Sequence, residues 1–131
     1  MHSWHGMNSQ AEELRQRVKH FAVRIVRFVH TLPRDAAGDA MGRQLVRSGT
    51  GVSSNYRAAC RGRSRAEFIA KLGVVLEEAD ESEHWLDVIH EGRLSSGPEL
   101  EWLRSESREL RAIFSASVST ARKNHPNPKN P

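Results

Sequence analysis

The sequence predicts an all-α fold, an antiparallel up-and-down four-helix bundle. Three observations carry this. Apolar residues recur at alternating steps of three and four along four long segments, the period of a helix that buries one stripe. Short joints with Pro, Gly or Ser separate the segments, and short joints between long helices make antiparallel neighbours. No segment alternates strictly between apolar and polar residues, as a half-buried strand would. The 131 residues, 37% hydrophobic and 27% charged, suffice for one such core and are too few for two.

The first helix is expected from an N-cap at Ser9 to Thr31 or Leu32, stopped by Pro33. Leu14, Val18, Phe21, Ile25, Phe28 and Leu32 form its inner stripe, and Ala22, Val26 and Val29 widen it. The second helix runs from about Asp35 to Arg61, with an inner stripe of Met41, Leu45, Ser48, Val52, Asn55 or Tyr56, and Ala59. Its middle, Arg47 to Asn55, holds Gly49 and Gly51, each costing roughly 1 kcal/mol relative to Ala. Small residues there suit a closely approaching backbone; the alternative is a kink near Gly49–Gly51. A continuous helix is the preferred reading.

Gly62 closes that helix and Ser64 opens the third, where Ser64-Arg65-Ala66-Glu67 has the form of a capping box. Glu67 and Lys71 add an i,i+4 pair. Phe68, Leu72, Val75, Ala79, Ser82, Leu86 and Ile89 face inward, and the helix ends near Gly92. Pro98 fits the first turn of the fourth helix. Leu100, Leu103, Ser107, Leu110, Phe114, Val118 and Ala121 carry its stripe. The expected layout is a flexible segment 1–8, a bundle over 9–123 with helices at about 9–32, 35–61, 64–92 and 97–123, and a disordered tail 124–131.

The lone Cys60 excludes an intrachain disulfide, and it reads as a buried filler rather than a reactive thiol. The N-terminal residues lack the basic-then-apolar order of a signal peptide, and no apolar run reaches the roughly 20 residues that span a bilayer. The expectation is a cytoplasmic protein with no membrane contact. Net charge is +4, unevenly spread. Residues 1–71 carry 13 Lys/Arg against 5 Asp/Glu, whereas residues 72–131 carry 7 against 11. Both signs of surface are therefore offered to a partner or to another copy.

Three outer rows concentrate this charge. Arg17, His20, Arg24 and Arg27 follow one another on the first helix. Arg43, Arg47, Thr50, Ser54, Arg57 and Arg61 do so on the second, and Glu77, Asp80, His84, Asp87 and Glu91 on the third. Such rows can be simple solvated faces. They can also bind copies of the chain head to tail, with Glu77, Asp80, Glu81 and Trp85 as the candidate interface. Or the seven arginines Arg17, Arg24, Arg27, Arg43, Arg47, Arg57 and Arg61 can hold the phosphates of RNA or DNA. Trp85 and Trp102 lie beside core positions, where an indole covers the core edge or anchors an interface.

Catalytic and metal patterns are wanting. A di-metal bundle needs two Glu-x-x-His units; Glu81-Ser82-Glu83-His84 is one, there is no second, and His84 falls on the outer face. His84 and His90, six apart, do not share a helix face. There is no Gly-rich phosphate loop, nucleophile elbow or paired zinc spacing. The expectation is a non-enzyme with no cofactor and no metal.

From the second helix onward the residues gain a collective identity. Gln44-Leu45-Val46-Arg47-Ser48-Gly49-Thr50, Val52, Asn55-Tyr56-Arg57, Ala59-Cys60-Arg61, Arg63-Ser64, Glu67-Phe68-Ile69, Lys71-Leu72, Glu77-Glu78-Ala79-Asp80-Glu81-Ser82 and Trp85-Leu86 together resemble the bacterial four-helix-bundle family also called the 23S rRNA intervening-sequence protein family. That family is similar in fold to the accessory variability protein of diversity-generating retroelements. The resemblance spans roughly residues 14–122. It implies a homopentameric, barrel-like ring without known enzymatic activity, some of whose members are encoded within inserts in large-subunit rRNA genes. The retroelement relative implies binding to a reverse transcriptase and to nucleic acid through a basic surface. By position, Gln44–Arg61 and Glu78–Trp85 are the signature segments. Two positions depart from the pattern: Ala58 stands where Glu is usual and Gly51 where Ser is common. The first makes the second helix more basic and removes any role for a carboxylate there.

Overall fold

A computed structural model describes residues 9–124 and contains four helices: α1 Ser9–Val29, α2 Ala36–Cys60, α3 Arg65–Glu91 and α4 Pro98–Asn124. Each packs on the next, α1 closes on α4, and the diagonal pairs stay apart. The order around the bundle is thus the order along the chain, up-and-down and antiparallel. No strand occurs among the described residues. The expected segments 1–8 and 125–131 lie outside the described residues. Asn124, expected in the tail, instead belongs to α4.

The inner stripes follow the predicted spacing, except that Val26, expected to widen the α1 stripe, points outward and is 39% exposed, and Leu14, Met41 and Phe68 are half-buried. Phe21 and Ile25 of α1, Leu45 and Val52 of α2, Leu72, Val75, Leu86 and Ile89 of α3, and Leu103, Leu110 and Phe114 of α4 are completely or almost completely buried. Each such side chain contributes roughly 1.5–3 kcal/mol, so packing rather than propensity holds the helices. The Asn55/Tyr56 alternative resolves to Tyr56, which is buried with its ring 5.4 Å from that of Phe114. Asn55 Nδ2 donates to the Gly51 carbonyl at 2.9 Å.

Three serines of the inner stripes, Ser48, Ser82 and Ser107, are wholly buried. The hydroxyls of Ser48 and Ser82 lie 2.9 Å apart across the α2–α3 seam, and Ser107 donates to the Arg104 carbonyl at 2.9 Å. Their small size draws the helices together, and the hydrogen bonds remove the cost of burying them.

α2 is continuous through Gly49–Gly51, but the reason differs from the expected backbone approach. Side chains fill the space. A Cβ on Gly49 would lie 3.0 Å from the Ile25 side chain, and one on Gly51 would lie 2.5 Å from Glu78 Oε2.

Helix ends show local chemistry that periodicity does not encode. α1 stops at Val29, short of the expected Thr31–Leu32, because a tighter turn takes over: the N–H groups of Thr31 and Leu32 donate to the carbonyls of Phe28 and Val29. Asp35 caps α2 by accepting from the Gly38 N–H at 2.8 Å. Ser64 caps α3 by accepting from the Glu67 N–H at 3.1 Å, while Glu67 Oε1 accepts from Arg63 N, one residue upstream of the usual box partner. At the other end of α3, Arg93 N donates to the His90 carbonyl and Leu94 N to that of Ile89. This is a Schellman closure whose left-handed position, φ 59°, is filled by Arg93 and not by glycine.

Candidate functional site

The predicted site residues lie on four seams and their outer edges. At the α2–α3 seam Arg47 turns away from its row. Its guanidinium pairs with Glu81 and stands 3.5 Å from Glu78, with Gln44 Oε1 3.3 Å away. Trp85 Nε1 donates to the same Glu81 at 3.2 Å. The Glu78 carboxyl is pushed above its ordinary range, mainly by burial against α2 and in spite of Arg47. The two signature segments therefore pack on each other through Ser48–Ser82, Gly51–Glu78 and Arg47–Glu81. Much of what makes the sequence recognisable is the material of this seam.

At the α1–α4 seam Arg17 makes a bidentate pair with Glu106, 2.7 and 2.8 Å, and reaches Glu109 at 2.9 Å. Glu106 is buried, and this pairing raises Arg17 further above its usual range. Arg24 Nε donates to Glu99 Oε2 at 3.0 Å and lies 3.6 Å from the centre of the Trp102 ring. His20 meets that ring edge-on at 5.7 Å. Arg24 holds the Glu99 carboxyl below its ordinary range. Trp102 thus seals the core edge under two side chains of α1.

At the α3–α4 seam Glu83 pairs with Arg111, and Asp87 is 3.1 Å from Arg104 and 3.8 Å from Arg108. The rest of the α3 row, Glu77, Asp80, His84 and Glu91, is exposed. Among the described residues Glu77, Asp80 and Glu91 have no ion-pair partner in the chain.

Of the seven candidate arginines, then, Arg17, Arg24 and Arg47 are held by carboxylates of a neighbouring helix. Arg27, Arg43, Arg57 and Arg61 remain exposed and without an ion pair among the described residues. Of the four candidate interface residues, Glu81 is held by Arg47 and Trp85 by Glu81, while Glu77 and Asp80 stand outward. Residue spacing did not single out Arg63 and Arg65, which follow Arg57 and Arg61 around the α2–α3 turn with no ion pair. The signal was present in the run of arginines at 57, 61, 63 and 65, which crosses a helix boundary and so escapes a row count. Val23 and Val26, 40% and 39% exposed, are the exposed large hydrophobics among the described residues.

Nucleophiles have the opposite setting. The Cys60 thiol is buried and pushed up by that burial. Tyr56 is raised by the same cause. Among the described residues no group of His, Cys, Asp and Glu is arranged to hold a metal ion, and no helix is long and apolar enough to cross a membrane.

The family described as 23S rRNA-intervening sequence protein matches residues 11–116. A solved structure from Bacteroides thetaiotaomicron, described as a protein with unknown function from the S23 ribosomal protein family, is 30% identical. The match covers 83% of this chain and 97% of that one, with a TM-score of 0.76. No curated protein matches.

Proposed function

The chain belongs to the 23S rRNA-intervening sequence protein family, and from that premise we propose that it is a non-catalytic, cytoplasmic scaffold that works as an assembly of its own copies. One observation carries the reading. Inward-facing charges are satisfied across the seams, while α3 keeps an outward row of carboxylates and other faces keep outward cations, with no partner within the chain. A head-to-tail contact matches the two and closes into a ring if its rotation allows; the family resemblance supplies five as the expected copy number. Buried Cys60 and Tyr56, both raised, support the absence of chemistry. Light scattering of the full chain at micromolar concentration and low salt tests this. The expected mass is a multiple of the 14.8 kDa chain; a monomer mass overturns it.

A second reading, binding of RNA or DNA, is favoured by the four guanidiniums of Arg57, Arg61, Arg63 and Arg65 at one end of the bundle. Phosphate binding there weakens by roughly a hundredfold between about 0.05 and 0.2 M salt if four contacts form. Fluorescence anisotropy with a labelled RNA measures it, and Arg61→Glu with Arg63→Glu is expected to abolish binding. A salt-insensitive signal, or none at low salt, removes this reading.

A further inference from the structure

We propose that the outer face of α1 and α2 is the seat for the α3 row of a second copy, side by side and pointing the same way. The inference rests on the self-association reading above and names its two surfaces. The α1–α2 face carries Lys19, His30 and Arg43, with Val26 between them and Val23 beside it, while Arg27 lies on the α4 side of α1 with Pro98 and Glu99. These valines are the apolar ground a contact would cover, and the cations around them lack ion pairs within the described chain.

Register supplies the second argument. Ile25 lies over Gly49, and Ser48 meets Ser82. Residue 25 of α1, residue 49 of α2 and residues 80–81 of α3 therefore stand at about one height. Counting from that level at about 1.5 Å per residue, Lys19 is level with about residue 75, Val23 with about 79, Val26 with about 82, and Arg43 with about 87. The α3 row occupies the same span: Glu77, Asp80, His84 and Glu91. A neighbour displaced sideways, with little sliding, brings Glu77 to within about two residues, roughly 3 Å, of the level of Lys19, Asp80 to the level of the valines, and Glu91 toward Arg43. Opposite signs meet at both ends, with the valines between. The two faces differ and lie on different sides of the bundle, so the contact is head-to-tail. An α1–α2 face meeting its own copy would oppose cations, a costly juxtaposition.

Sedimentation velocity on the full chain tests this with two double variants, Glu77→Lys with Asp80→Lys, and Lys19→Glu with Arg43→Glu, and with their equimolar mixture. All four residues are exposed, and circular dichroism verifies the helical fold. Each double variant alone is expected to associate at least tenfold more weakly than the original chain, and the mixture to recover association because each reversed face meets its new complement. Association undiminished in either variant, or a mixture of folded variants that stays monomeric, overturns the assignment of these faces while leaving self-association standing. An original chain that is monomeric under all conditions overturns both.

Discussion

Glu78 and Glu99 give the molecule two opposite responses to pH. Glu78 packs on Gly51, and burial raises its pKa in the fold. Its contribution to stability is complete below the unfolded carboxyl pKa and is lost as pH rises through the folded value. Glu99 is lowered by Arg24, so its contribution is present above the unfolded pKa and is lost as pH falls through the folded value. Urea unfolding should therefore show Glu78→Gln gaining relative to the original chain as pH rises from the carboxylate range to neutrality, and Glu99→Gln losing over the same range. Matching trends for the two would contradict the assignment. Arg93 is a second test at this scale. An L-residue in the left-handed region costs about 1–2 kcal/mol, of which glycine's greater unfolded freedom takes back roughly 0.5–1 kcal/mol. Arg93→Gly is expected to raise stability by up to about 1 kcal/mol, read as a higher thermal midpoint.

Between elements, the seams divide the work. Apolar stripes and buried serines join α2 to α3, whereas long arginines span the α1–α4 side. Breaking the bidentate Arg17–Glu106 pair with Glu106→Gln is expected to cost about 1.5–3 kcal/mol, the range for hydrogen bonds to charged groups. Glu109→Gln, at an exposed carboxylate, should stay within about 0.5 kcal/mol; denaturant melts of both variants check the contrast. These seams also mark the limit of what the sequence discloses. The stripes were legible because a 3.6-residue period is a property of one helix. That Arg17 faces Glu106, 89 residues on, or that Arg47 leaves its row for Glu81, depends on which helices are neighbours. Hence four arginines of the candidate surface remain outward where a row count offered seven. Helix ends were legible where a side chain caps, as at Asp35 and Ser64, and less so where backbone geometry alone closes the helix, as at Val29 and Arg93.

Over the whole molecule, the charge asymmetry seen along the chain becomes an asymmetry of faces: carboxylates on α3, cations on α1 and α2, and arginines around the α2–α3 turn. Exposed charges of this kind act over about 10 Å at 0.1 M salt and over much less at high salt. An assembly held by them should loosen as salt rises, with the valine contact supplying the remainder. Sedimentation of the full chain at about 0.05 M and about 0.5 M salt is the direct test. The account predicts a multiple of 14.8 kDa at low salt that shifts toward the single chain at high salt; one chain mass at both would contradict it.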